Sequence, residues 1–326
     1  MIVKIGQSWL SLIFTYQGSS LTHTWRRIAA VTSLSVLVTV AWEAVTLGWF
    51  VAPYTVPINL TTTPFSLVGV ALGIFLGFRN NASYDRFWEG RKLWGALVNT
   101  SRNFTRQLLT LVTLPGPESE AEEQDLDALR TWRREMVYRT AGYVHAVRHH
   151  LRGTEPFEDL ADFIPAAEVE ALKSLKNVPL GLQMTLGRRI QWAWKRGWVH
   201  DLHVPNLDRQ LDEFLNIQGG CERIKATPIP FTYTVLIHRI VFFYCVLLPF
   251  GIVSTVGVLT PLVVFMISHA FFGLDDIGDE IEEPFGMEPN DLPLAAISRM
   301  IEVNLKQSIE DEAVPPLLEP VDELLT

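Results

Sequence analysis

The sequence predicts an all-α membrane protein with four transmembrane helices and a large cytoplasmic helical region. Three observations lead there. Of 326 residues, 48% are hydrophobic, with ten Trp and eighteen Phe, a composition suited to membrane interfaces. Four apolar runs occur in two pairs, each pair joined by a short loop without charge. Between the pairs lie about 150 residues of mostly helical periodicity with little strand alternation.

Residues 8 to 17 (SWLSLIFTYQ) read as a short apolar helix at the membrane surface. No cleavable signal peptide is expected in Met1–Ser20, because a charged head and a long apolar core are missing. The first span is expected over Ile28–Val51, with Glu43 as its one acid and Trp42 and Trp49 near its far end. The second, about Pro64–Phe78, is short for a lipid-facing helix, which needs about 20 apolar residues. The third covers about Phe231–Ser254 and carries His238 and Arg239; the fourth covers about Thr260–Leu274. His238 and Arg239 read as snorkelling residues near the start of the third span. Arg26 and Arg27, Arg79 to Lys92, and Arg223 and Lys225 flank the spans on one side. By the positive-inside rule both termini and the middle region face the cytoplasm. The expected divisions are 1–80 (surface helix and first two spans), 81–228 (cytoplasmic helices), 229–276 (third and fourth spans) and 277–326 (acidic segment, helix and tail).

In the middle, Leu93, Leu97, Phe104, Leu108 and Leu111 form an amphipathic stripe. A breaker-rich acidic loop follows at Leu114–Glu123. Helices are then expected over Trp132–Leu151, Leu180–Trp198 and Leu207–Ile217, with a last one over Leu294–Ile309. The tail Pro315–Thr326 is expected to pack irregularly.

The second span carries the most informative pattern. Gly69, Gly73 and Gly77 recur every fourth residue, and Val70, Ile74 and Phe78 do so one step further on. On a helix each set lies on one face. The bare glycine stripe lets another backbone approach. The apolar file beside it would ring an axis shared by several copies, as in a narrow pore constriction that gates by dewetting. An ordinary membrane helix with small-residue packing has the same pattern.

The net charge is −9, yet eight acids fall between Asp275 and Asp291 with no base among them; outside that segment 28 acids face 27 bases. The segment reads either as a solvated helix end or as a source of negative potential. No basic stripe indicates nucleic-acid binding. Cys221, in a polar region, and Cys245, in an apolar run, exclude a disulfide framework. His145 and His149 at i, i+4 have zinc-binding spacing, but the glutamate of HExxH is missing and Arg148 and His150 adjoin, so a packing or solvated role is expected. His200 and His203 flank Asp201 and are weaker still. No catalytic motif appears, and neither an enzyme, a metal nor a cofactor is expected.

Several runs together resemble the bestrophin family, in its bacterial branch. They are Tyr16-Gln17-Gly18-Ser19, PFSLVGVALGIFLGFRNNASYDRFWEGRKLWG from Pro64 to Gly95, GGCER at Gly219–Arg223, TPIPFTYT at Thr227–Thr234 and EEPFGMEPNDLPL at Glu282–Leu294. The resemblance implies a homopentameric ion channel with one axial pore, embedded in membrane lipid. Its neck would fall on Val70, Ile74 and Phe78. A cytoplasmic aperture would fall on Leu202, with Asp201 as an acidic ring beside it. Animal members are calcium-opened chloride channels. Here the corresponding run, Met287 to Asp291, lacks most of the carboxylates, which argues against calcium gating. Asp201, Glu43 and the acidic segment would favour small monovalent cations such as sodium. A chloride channel is the alternative, and a non-conducting scaffold or sensor is the alternative of another class.

Overall fold

The computed structural model describes residues 1–2, 9–10, 15–16, 18–48, 61–116 and 122–325. Most of the expected surface helix at 8–17, Trp49 and most of the loop 48–63 lie outside the described residues. The described residues form helices and no extended strand, only isolated bridges such as Ile2 with Leu324. In order the helices are α1 (Leu21–Thr46), α2 (Thr62–Leu111), α3 (Glu123–Arg152), α4 (Phe157–Leu160), α5 (Ala166–Leu172), α6 (Val178–Lys195), α7 (Val204–Ala226), α8 (Phe231–Val256), α9 (Thr260–Glu282) and α10 (Leu294–Gln307). The chain divides into two compact units. One comprises residues 4–87 and 228–283; the other comprises 1–3, 88–227 and 284–326.

The first unit holds the apolar helices. Three helical stretches among the described residues are long and apolar enough to cross a membrane: Leu21–Thr46, Thr62–Leu111 and Phe231–Glu282. The last is interrupted by a single 3-10 turn, Gly257–Leu259, which separates α8 from α9. Gly257 sits at φ +61, where a side chain would strain the backbone. Tyr244 and Phe271 meet edge to face at 5.3 Å, and His238 meets Asp275. The partner farther before the turn thus meets the partner farther after it, which makes α8 and α9 an antiparallel hairpin.

A single apolar core knits this unit together from Ile28 and Val31 of α1, Leu72 and Leu76 of α2, Ile237, Val241, Cys245, Leu248 and Ile252 of α8, and Val264 and Phe272 of α9. α1 buries Thr24, Ile28, Val31, Ser35 and Thr39, a three-four spacing that makes one face. Thr39 bonds back to its own helix, its Oγ1 donating to the Ser35 carbonyl at 2.8 Å. Large apolar side chains such as Leu37, Val40, Phe243 and Met266 remain exposed, as lipid-facing residues do. Gly251 admits the Phe65 ring so closely that a Cβ there would lie 2.1 Å from it.

The second unit is built from the remainder of α2 with α3 to α7 and α10. Trp94, Leu97, Phe104 and Leu108 of α2 are buried. The stripe therefore starts on Trp94, and the expected end members Leu93 and Leu111 are only half-buried. Phe214 of α7 packs edge-on against Phe104 and Tyr143, and the Tyr143 hydroxyl donates to the Phe214 carbonyl at 3.0 Å. Asn177 caps α6 by accepting from the Leu180 amide, with Pro179 in the first turn. α3 ends at Gly153, φ +68, in the left-handed cap that glycine favours.

Several expectations need correction. α2 does not stop near Phe78. It runs unbroken for 50 residues, so the division expected at 80–81 falls inside a helix. No proline interrupts the stretch after Pro64, and polar residues there change only the helix's surroundings. α9 likewise continues eight residues past Leu274 into the acidic segment. Cys221 is not in a polar setting: it is fully buried, and that burial pushes its thiol up to about 12.

Candidate functional site: the exposed apolar file of α2

A helix turns about 100° per residue, so positions two apart face nearly opposite ways. α2 uses this in its first half. Leu72 and Leu76 are 1% and 0% exposed, locked into the core. Val70, Ile74 and Phe78, on the other side, are 65%, 52% and 63% exposed. Burying such side chains away from water stabilises by about 1.5–3 kcal/mol each. Three of them in a row have no partner among the described residues of this chain, so they face lipid or another chain. The glycine stripe divides. Gly69 packs on Tyr244, whose hydroxyl would lie 2.6 Å from an added Cβ, whereas a Cβ at Gly73 or Gly77 would meet nothing.

Directly after Phe78 the helix is fixed by charge. Arg79 is fully buried. Its Nη1 lies 2.6 Å from Asp275 Oδ1, and its Nη2 pairs with Asp279. His238 of α8 closes the cluster, Nδ1 at 2.6 Å from Asp275 and Nε2 at 3.5 Å from Asp279. Further along, Asn80 Nδ2 donates to the Leu274 carbonyl at 3.0 Å and Arg86 Nε to the Glu282 carbonyl at 2.9 Å. α9 thus grips α2 over two turns and holds the file facing away from the hairpin. His238, Asp275 and Asp279 are a metal-ligand set by residue type, but the Arg79 guanidinium already supplies their cation.

This cluster corrects two expectations. His238 does not snorkel; it binds two carboxylates. Nor is the acidic segment a free negative field. Asp275 and Asp279 are tied to Arg79, Asp276 lies 3.4 Å from His23, Glu282 accepts from the Ile229 amide, and buried Asp291 accepts from the Glu288 amide. That last bond organises the run Met287–Asp291 from within. Sequence reasoning counted Arg79 only as a flanking base. The available signal was a lone arginine one step past the apolar file, together with aspartates four apart on α9.

Asp201 and Leu202 lie in the turn between α6 and α7. Leu202 is 75% exposed and is the tip of a built turn: its amide donates to His200 Nδ1 at 3.2 Å, and Trp198 beneath is buried. Asp201 accepts from Trp194 Nε1 at 2.7 Å. The His200 and His203 rings are 5.9 Å apart and tilted, with no third ligand converging on them among the described residues. Glu43 is half-buried near the end of α1, 3.8 Å from where a Gly257 Cβ would stand.

Fold and site together define a helical membrane protein that turns an uncharged apolar file away from its own core. Residues 1–307 match the family model described as Bacterial/Fungal Bestrophin protein. The chain belongs to the bacterial and fungal bestrophin family. It is 40% identical to a voltage-dependent anion channel-forming protein of Ralstonia nicotianae, over 96% of both chains. It is 35% identical to the voltage-dependent anion channel-forming protein YneE of Escherichia coli, over 98% of both. Among solved structures, a bacterial bestrophin homolog from Klebsiella pneumoniae is similar at a TM-score of 0.76 and 32% identity, covering 88% of this chain and 98% of that one.

Proposed function

We propose that the chain is an ion channel of the bacterial inner membrane, with both termini in the cytoplasm, and that five copies surround one axial pore. The observation that carries this reading is the exposed file Val70, Ile74 and Phe78. Bare Gly73 and Gly77 beside it leave room for a neighbouring helix. Five such files would form a neck of three apolar rings that binds no ion and gates by width and wetting. Leu202 would form a second apolar ring in the cytoplasmic region. The names of the relatives support channel activity.

The neck carries no charge, so the sign of the permeant ion is set elsewhere. Among the acids invoked from the sequence, those of α9 are internally paired. Half-buried Glu43 and Asp201, exposed beside Leu202, remain, and a ring of five carboxylates at Asp201 would raise the local cation concentration. Small monovalent cations such as sodium are therefore the favoured ions. The second reading is an anion channel, which the relatives' printed names favour. The purified protein in a planar bilayer under a NaCl gradient separates them. The reversal potential is expected on the sodium side of zero and shifts toward chloride in the Asp201→Asn variant. A chloride-side potential in the wild type refutes the charge argument. A monomer without current supports the scaffold.

A further inference from the structure

The second unit carries an exposed apolar face built on three of its helices. α6 has a groove on each side. The first, about 840 Å3, runs between α5 and α6 over Leu172, Leu175, Met184 and Trp192. The second, about 630 Å3, runs between α6 and α7 over Met184, Ile190, Leu211 and Leu215. Leu180, Met184 and Arg188 line both, so they form the crest between the grooves. Met184 is 56% exposed, Leu175 45% and Leu215 44%. Bilayer lipid is a poor cover for them. α5, α6 and α7 are not among the helices long and apolar enough to cross a membrane. Anionic headgroups would repel the aspartates that share the face.

The charges of this face are sorted by side. Lys176 and Arg188 border the first groove, Asp208 and Asp212 the second. Asp208, Asp212 and Leu215 are spaced i, i+4, i+7 and so form one stripe along α7. Glu168 and Arg189, also beside the first groove, are already paired within the subunit, Glu168 with Arg139 and Arg189 with Glu135. Lys176, Arg188, Asp208 and Asp212 are exposed and have no ion-pair partner among the described residues. Arg188 stands on the crest and yet pairs with neither aspartate. One chain thus carries a basic edge with an apolar floor and an acidic edge with an apolar tip, on either side of one helix.

We propose that this face joins copies of the chain head to tail: the acidic edge of α7, with Leu215, lies in the basic groove between α5 and α6 of the next copy. Asp208 and Asp212 would meet Lys176 and Arg188 across the contact, and Leu215 would cover Leu175 and Met184. Each copy offers one edge of each sign, so every copy binds one neighbour with its acidic edge and another with its basic groove. Such a contact closes into a ring when the rotation per copy allows it. The proposal rests on the multi-copy reading above and adds which surfaces join the copies.

The test uses the full-length purified protein in detergent, with its native mass measured first. Leu175→Cys and Leu215→Cys place one thiol in the basic groove and one on the acidic edge, while the natural Cys221 and Cys245 are buried and do not compete. After treatment with a short bis-maleimide, the double variant is expected to give a ladder of linked chains that extends past the dimer on a denaturing gel. Neither single variant is expected to do so. Lys176→Glu with Arg188→Glu in that background slows linking by at least about tenfold, because like charges then face each other. Adding Asp208→Lys and Asp212→Lys restores it, which an unspecific apolar contact does not do. An assembly of several copies without links in the double variant would overturn this contact, give the grooves to another partner and leave the multi-copy reading standing. A ladder that stops at the dimer, equal linking in the single variants, or linking indifferent to charge reversal would also overturn it. A monomeric native mass would overturn both the contact and the multi-copy reading.

Discussion

Replacing Val70, Ile74 and Phe78 together by alanine is expected, on the proposed neck, to increase ion flux by about tenfold or more, because each tenfold requires only about 1.4 kcal/mol off the barrier. Three apolar rings in the proposed neck would impede an ion by stripping its water in a passage with nothing to replace it. Alanine widens each ring and lets water in. The same substitutions leave the isolated subunit's core untouched, since all three side chains are more than half exposed. Changes at such positions usually alter stability within about 0.5 kcal/mol. Leu76→Ala on the opposite face is the internal control. It removes a fully buried side chain and costs about 2–5 kcal/mol. Flux into liposomes, read beside the melting temperature, separates the two faces of one helix. Equal flux from the triple variant and the wild type would remove these residues from the gate.

The second large effect is expected at Arg79. Its guanidinium pairs with Asp275, which is 2% exposed, and with Asp279. Arg79→Met fits the space but leaves two carboxylates with His238 alone. Breaking a buried pair by removing one partner costs about 3–5 kcal/mol, because the remaining charge has no compensation. The detergent-solubilised variant is therefore expected to melt far below wild type. Adding Asp275→Asn removes the orphaned charge and recovers a substantial part of the loss. A double variant no more stable than Arg79→Met would show that packing, not charge, holds this corner. The position of Arg79 gives the result functional weight: it follows Phe78 on the helix, so the pairing fixes the orientation of the file's last member.

Much of this was legible in the sequence because hydropathy and helical period are local signals. The apolar runs, the charge-free turn at Gly257 and the four-residue spacing of Val70, Ile74 and Phe78 can each be read within a window of twenty residues. What escaped was pairing at long range. Arg79 and Asp275 are 196 positions apart, and nothing near either one announces the other. A run of eight acids therefore looked like an open negative field when several of its members are internal ties. The length of α2 was missed for a related reason. The change from apolar to polar composition near Arg79 marks a change of surroundings, and helical hydrogen bonds run through it unaffected. Cys221 was misjudged because GGCER reads as polar, whereas on α7 its cysteine falls on the buried stripe with Phe214, Ile217 and Ile224. His145 carried a spacing signal whose meaning depended on Asp159 and Glu302, one in a short helix and one on α10.

The most direct test is chemical access to position 74. Both natural cysteines, Cys221 and Cys245, are buried, so the Ile74→Cys variant places a thiol where the wild type offers no accessible one. If five files enclose water, a small charged thiol reagent added to an open channel reacts there and abolishes the current, while the wild-type current persists. A thiol at position 74 that reacts only with a membrane-soluble reagent, or that reacts fully while the current continues unchanged, would place this file in lipid or in packing and contradict the account.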